Sequence, residues 1–184
     1  MRIIETALKE VVLVEPELHE DPRGVFYELY HQDKYAKIGI AETFVQDNVA
    51  QSNRDVLRGL HYQLRYPQAK LVMAIQGKIY DVAVDIRRGS PSFGQWCGFE
   101  LSDTNKRQLY IPPGFAHGYC VLTDTATVVY KCSRFYAPGD DRGIIWNDPT
   151  IHVTWPVITP VLSSKDRSLK TLAESESDVP EYKA

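Results

Sequence analysis

Apolar residues in this chain fall in short runs, and each run ends at Pro, Gly, Asn or Asp. The segments VVLVEP, GVFYELY, TFVQDNVAQS, LVMAI, KIYDVAVDIR, GFELS, RQLYIP, GYCVL and TATVVYKC are rich in Val, Ile, Tyr and Phe. Such residues fit a pleated, half-buried surface, so each segment is predicted to be a strand. Within KIYDVAVDIR, Lys78, Tyr80, Val82, Val84 and Ile86 share one face, while Ile79, Asp81, Ala83, Asp85 and Arg87 share the other. The first face is expected in the core, and the second, with two carboxylates, toward water, a cavity or a partner. LVMAIQGKIYDVAV reads as a hairpin closed at Gln76-Gly77, because Gly accepts the positive φ of tight turns. Helical signals are few. QDKYAKIGI can form a short helix that Gly39 stops, and SSKDRSLKTLAE has capping-box spacing from Ser163 to Asp166. Many short strands with turns between them predict an all-β sandwich or barrel, a jelly roll with a few short peripheral helices. No repeat or linker divides residues 1–184, which are read as one domain, with the polar residues 174–184 as a flexible tail.

Composition narrows the function classes. The 184 residues are 43% apolar, enough for one compact core, and the net charge of −3 is spread along the chain. No Lys/Arg cluster predicts a nucleic-acid surface, although a local group of cations can still bind a small anion. Cys97, Cys120 and Cys132 lack CxxC spacing and read as reduced thiols, which suggests a cytoplasmic protein. MRIIETALKEVVLVEPELHE is interrupted by charge too often for a signal peptide. No run approaches the ~20 apolar residues of a membrane span.

VLRGLHYQ, residues 56 to 63, is an apolar strand that carries both Arg58 and His61. A lone strand histidine is more often structural than catalytic. Three residues apart, the two side chains would point to opposite faces, unless Gly59 forms a bulge that re-aims the chain and lets them converge. Lys70 precedes an apolar strand, where a solvated strand end is the commoner fate of a lysine, although Asp81 could hold it charged in a pocket. His117 follows a Pro-Pro-Gly turn where a barrel rim is expected. Tyr130 shares its face with Val128 and Cys132, and Asp166 doubles as the acidic member of the capping box. Gln63 stands where a second metal-binding histidine would be needed, which leaves His61 and His117 widely separated, so no catalytic metal is expected.

Taken together, DPRGVFYE, FVQDN, VLRGLHYQ, QAKLV, YDVAVDIRRGSPSFGQW, NKRQLYIPPGFAHG, VVYKC, GIIWNDPTIHVTWP and SSKD resemble the dTDP-4-dehydrorhamnose 3,5-epimerases, in order, from about residue 3 to about residue 170. The resemblance implies a cofactor-independent, metal-free, cupin-like jelly roll that forms homodimers. It implies His61 as general base, Asp166 as its hydrogen-bond partner, Tyr130 as the acid on the opposite sugar face, and Lys70 as a catalytic cation. Arg58, Arg23, Glu28, Gln46, Asp47, Asn48, His117, Asp141 and Lys165 are the implied substrate-binding positions. The implied substrate is a dTDP-linked 4-keto-6-deoxysugar, whose α-hydrogens a neutral imidazole can remove near pH 7. Negative charge then develops on O4, where one preorganised donor such as Lys70 or His117 is worth about 3–4 kcal/mol. Arginines suit the diphosphate because their planar forks make paired bonds. Phe135 replaces a tyrosine of many members, and Ala69 replaces the glycine of QGK. The expected activity is inversion of C3 and C5 of dTDP-4-keto-6-deoxy-D-glucose. The alternatives are a single-centre 3- or 5-epimerase acting on a related ketosugar and a jelly roll that binds sugar without catalysis.

Overall fold

In the computed structural model, which describes residues 1–183, the short apolar runs become strands and the Gly/Pro/Asp clusters the turns between them. The strands are β1 (Arg2–Ile4), β2 (Val12–Glu15), β3 (Leu18–Asp21), β4 (Gly24–Tyr27), β5 (Gln46–Asn53), β6 (Leu57–Gln63), β7 (Lys70–Gln76), β8 (Lys78–Asp85), β9 (Trp96–Ser102), β10 (Gln108–Ile111), β11 (Phe115–Val121), β12 (Thr125–Cys132) and β13 (Asp141–Gly143). Two short helices, α1 (Gln32–Ala36) and α2 (Ser164–Arg167), lie at the periphery. One sheet has the order β1-β2-β10-β7-β12-β5 and the other β13-β6-β11-β8-β9, while β3 and β4 form a separate hairpin. The named strands pair antiparallel throughout, which gives the expected all-β sandwich of cupin-like jelly-roll type.

Between the sheets, Leu13, Val72, Leu109 and Val128 of one meet Ile79, Leu101, Phe115 and Val121 of the other. Each such side chain fully removed from water contributes roughly 1.5–3 kcal/mol. The outer faces are covered too. Tyr35 and Ile40 pack on Leu71, Met73 and Tyr110, and Ile151, Leu172 and Val179 pack on Leu60, Val82 and Ile86. A core on both sides explains why LVMAI and VAV are apolar without alternation.

Three sequence expectations are corrected or narrowed by the fold. β7 and β8 are not a hairpin: β7 pairs with β10 and β12, and β8 pairs with β11 and β9 in the other sheet. Gly77 (φ +71°) carries the chain across, and a Cβ there would sit 2.2 Å from the Thr125 carbonyl oxygen. A positive-φ glycine serves a sheet-to-sheet crossing as well as a tight turn. Of the three surroundings expected for the carboxylate face of β8 (water, a cavity or a partner), water is excluded, because Asp81 and Asp85 are both fully enclosed. Asp85 is compensated by Arg87, whose Nε lies 2.9 Å away. Finally, the polar C-terminal stretch is docked. Val179 is buried, the Tyr62 hydroxyl donates to the Asp178 carbonyl at 2.8 Å, and Tyr182 N–H donates to the Arg88 carbonyl at 2.9 Å. Sparse anchors within polar sequence escaped the compositional reading. Ala184 lies outside the described residues.

Candidate active site

The end of the sandwich where β5, β6, β7, β12 and β13 converge encloses a cavity of about 260 Å³. Gln46, Asn48, His61, Gln63, Lys70, Tyr130, Cys132, Tyr136 and Asp141 contribute to its wall. His61 and Gln63 come from one sheet, and Lys70, Tyr130 and Cys132 from the other.

Gly59 determines how His61 arrives there. It has φ +124°, and a Cβ would sit 2.5 Å from the Gly118 Cα and 2.7 Å from the His117 carbonyl oxygen. Only glycine permits β6 to approach β11 so closely. The register shifts here: His61 pairs with His117, but Arg58 pairs with Tyr119. Three steps on β6 therefore match two on β11, which is a bulge. Because His117 and Tyr119 share a face, Arg58 and His61 are brought to the same side. Arg58 stays exposed, donates from Nε to Ser52 Oγ at 3.1 Å and does not itself line the cavity.

His61 Nε2 lies 2.6 Å from Asp166 Oδ1, with the imidazole part-exposed and the carboxylate 3% exposed. Asp166 is positioned by α2, whose N-cap Ser163 accepts the Asp166 backbone N–H at 3.0 Å. The capping box is thus half used, and the carboxylate is spent on His61 instead. Burial by itself raises the Asp166 carboxyl, but the hydrogen bond and charge of His61, with Ser163 and Lys165, hold it below the ordinary aspartate value. An anionic partner fixes the ring's orientation and tautomer and favours the charged ring once it accepts a proton.

Burial pushes the Tyr130 phenol up to about 12, so it stays protonated near neutral pH. Lys70 lies beside Cys132 in the β7–β12 register, and burial lowers its ammonium from the usual lysine value. His117 is 6% exposed, stands behind the cavity wall, and places Nε2 2.8 Å from Asp81 Oδ1. Burial lowers His117 too, with Lys70 and His61 acting in the same direction and Asp81 against.

The remaining implied positions divide. Gln46 and Asn48 line the cavity, and Gln46 Oε1 accepts the Tyr136 N–H at 2.8 Å. Asp47 does not line it. Strand alternation turns Asp47 outward, where it pairs with Lys131 at 2.8 Å. Asp141 lines the cavity and accepts from the Tyr136 hydroxyl at 2.9 Å and from Lys165, which stands behind it and outside the lining. Arg23 and Glu28 belong to the β3–β4 hairpin region, pair with Asp21 and Lys34, and do not line the cavity of this chain. Sequence reasoning missed Tyr62, Gln63, Gln68, Cys132 and Tyr136 as wall residues. Gln63 and Cys132 lie two residues beyond His61 and Tyr130, so alternation was a usable signal, whereas Tyr136 sits in a loop with no periodicity. Among the described residues no three His, Cys, Asp or Glu side chains converge as a metal-ligand group.

Chemically, the cavity pairs a carboxylate-oriented imidazole from one sheet with a neutral phenol and a lysine from the other. That set can remove a proton from one face of a bound ring and supply one from the opposite face. Comparison with known proteins agrees with this chemistry. The family described as dTDP-4-dehydrorhamnose 3,5-epimerase matches residues 5–174. The dTDP-4-dehydrorhamnose 3,5-epimerase of Pseudomonas aeruginosa is 49% identical over 178 residues, covering 96% of this chain and 98% of that one. A Neisseria gonorrhoeae protein of the same name is 52% identical over 178 residues, covering 96% of this chain, but this chain spans only 54% of its length. Among solved structures, the Legionella pneumophila 3,5-epimerase in complex with dTDP-4-keto-L-rhamnose has a TM-score of 0.97 and 45% identity, covering 100% of this chain and 99% of that one.

Proposed function

The chain belongs to the dTDP-4-dehydrorhamnose 3,5-epimerase family, and from that premise we propose that it inverts C3 and C5 of dTDP-4-keto-6-deoxy-D-glucose to give dTDP-4-keto-L-rhamnose. The observation that supports this most is the lining of one cavity by His61, Lys70 and Tyr130, with Asp166 behind the histidine.

The chemistry proceeds by proton transfer. Neutral His61 removes the hydrogen on a carbon next to the ketone, and the C–H electron pair moves to O4 as an enolate. Lys70 donates to that oxygen, and His61 leaves the step as an imidazolium stabilised by Asp166. Tyr130 then delivers its hydroxyl proton to the same carbon from the other face, which inverts the centre. Solvent reprotonates the phenolate and takes the proton from His61. In the gluco configuration H3 and H5 are both axial on one face of the ring. One base below and one acid above can therefore serve both carbons in turn. Gln46, Asn48 and Tyr136 are assigned to the nucleotide side of the cavity, with Arg58 at its mouth for the diphosphate.

We assign a homodimer, in which Arg23 and Glu28, which stand away from this chain's cavity, would reach the cavity of a second copy. The exposed apolar side chains of the same region, Val25 and Phe26 (72% exposed), support that assignment. The cytoplasm is assigned as its compartment, supported by three buried cysteines that remain free thiols. No described helix is long and apolar enough to cross a membrane.

The test is incubation with dTDP-4-keto-6-deoxy-D-glucose in D2O with a 4-reductase present, followed by product analysis. Deuterium at both C3 and C5 with an L-rhamno product is expected. Label and inversion at one carbon alone would replace the double epimerase with a single-centre one, and no exchange at all would leave a binding protein.

A further inference from the structure

Two loops form the rim of the cavity, residues 64–69 between β6 and β7 and residues 133–140 between β12 and β13. Polar contacts tie them to each other. Ser133 N–H donates to the Ala69 carbonyl at 3.0 Å, and Ala69 N–H donates to Ser133 Oγ at 2.8 Å. Gln68 Nε2 donates to the Arg134 carbonyl at 2.8 Å. The buried Asp140 carboxylate accepts the N–H groups of Arg65 and Tyr66, each at 2.9 Å.

Gln63 stands where the two loops meet. It lies two residues beyond His61 on β6, lines the cavity and is 4% exposed. Its amide is used at both ends, with one partner in each loop. Oε1 accepts the Ala137 N–H at 2.7 Å, and Nε2 donates to the Tyr66 carbonyl at 2.8 Å. From the opposite sheet, Gln46 Oε1 accepts the N–H of the preceding residue, Tyr136, at 2.8 Å, and Gln46 Nε2 donates to Asn48 Oδ1 at 2.9 Å. Two consecutive backbone N–H groups are thus held by two glutamines, one from each sheet. The Tyr136 ring is half-exposed, so packing does little to fix it, and its hydroxyl has its own tie to Asp141 at 2.9 Å.

We propose that Gln63 is a positioning residue for nucleotide binding: with Gln46 it clamps the Tyr136–Ala137 backbone and holds the Tyr136 ring in place before ligand arrives. The inference rests on the function assigned above, which puts Tyr136 on the nucleotide side of the cavity. Gln63 acts through Tyr136, and its effect falls on affinity, because a loop ordered in advance spares the binding step that cost. The role needs an amide, with an acceptor for Ala137 and a donor for Tyr66 in one side chain. β6 carries both the base and the clamp, so one strand sets the spacing between the reacting carbon and the nucleotide.

The test is calorimetric titration with dTDP, together with kcat and KM on the ketosugar, for wild type, Gln63→Leu, Tyr136→Ala and the double variant Gln63→Leu/Tyr136→Ala. Gln63→Leu should weaken dTDP binding and raise KM by about tenfold, the cost of ordering one such side chain. Its kcat should change less than about threefold. The double variant should match Tyr136→Ala within about twofold, because the clamp then has no ring to position. Losses that multiply in the double variant, or a Gln63→Leu defect confined to kcat, would overturn the inference. Amide hydrogen exchange gives a second arm. The wild-type Tyr136 and Ala137 amides should exchange at least about tenfold more slowly than exposed loop amides, and Gln63→Leu should lose the protection at Ala137. Rapid exchange of both amides in wild type would overturn the clamp without any variant having to fold. A wild type that neither binds dTDP nor turns over the ketosugar would sink the assigned function alone, since amide exchange still judges the clamp.

Discussion

Two histidines face each other across the β6–β11 ladder, and each holds a carboxylate through Nε2: His61 with Asp166 at 2.6 Å, His117 with Asp81 at 2.8 Å. The motif is the same, but the surroundings differ. The His61 side chain is 29% exposed and lines the cavity, and its aspartate comes from the short helix α2, which contacts β6. His117 has 7% side-chain exposure, and its aspartate is a strand neighbour within the sheet. Solvent access lets the first pair exchange protons in each turnover, whereas enclosure suits the second to hold a fixed charge pattern. The comparison teaches that a His–Asp bond acquires its role from what surrounds it, and pairwise distance alone does not distinguish base from brace.

The sharpest way to break this contrast is His61→Ala. General-base removal should lower kcat by about 10⁴ and abolish deuterium exchange at C3 and C5, while circular dichroism stays native. Retained exchange would show that His117, or another group, is the base. Asp166→Asn should be milder, about 10²–10³ in kcat, since the imidazole remains but loses its orienting anion. It carries a stability signature as well. The folded Asp166 carboxyl lies below its unfolded value, so its ionised form stabilises the fold above that unfolded value, near 3.8, and this contribution disappears as pH falls through the folded value. The Tm gap between wild type and Asp166→Asn should therefore narrow in acid. A gap that widens there would contradict the ion pair.

Tyr130→Phe tests the opposite wall. Its hydroxyl is the proposed proton donor, so inversion should drop by about 10² while label still enters the substrate, because deprotonation by His61 is spared. With the phenol near 12, no alkaline loss of activity below about pH 10 should trace to Tyr130. Exchange lost as completely as in His61→Ala would remove the division of labour between the two sheets.

What the sequence revealed about this site follows from which signals are local. Strand runs, the αL-tolerant Gly39 and the Ser163 cap were all readable from short windows, because backbone preference fixes them. The Gly59 bulge could be stated only conditionally, since bulging is a property of two paired strands and β11 lies over fifty residues away. The Gln76-Gly77 hairpin failed for the same reason. Glycine signals a positive φ, but which sheet receives the next strand depends on partners elsewhere in the chain. The docked C-terminus was hidden because Val179 and Tyr182 are two anchors in a polar segment, too few for a periodic signal. His61, Lys70, Tyr130 and Asp166 were picked out by collinear motifs, but their convergence needed the fold.

The smallest predicted effect sits on one strand and needs only adjacent residues. Asn48 lines the cavity, and Asp47 points outward to Lys131. The exposed Asp47–Lys131 pair contributes about 0–1 kcal/mol at most, and solvent and salt screen it. Asp47→Ala should therefore leave kcat/KM within about twofold of wild type, whereas Asn48→Ala should raise KM several-fold through a lost hydrogen bond worth about 1 kcal/mol. Measuring both constants in one assay reads the face of β5 directly. Equal losses would mean that β5 presents both faces to ligand, which a regular strand in this register forbids unless a second copy of the chain covers the outer face and brings ligand to it.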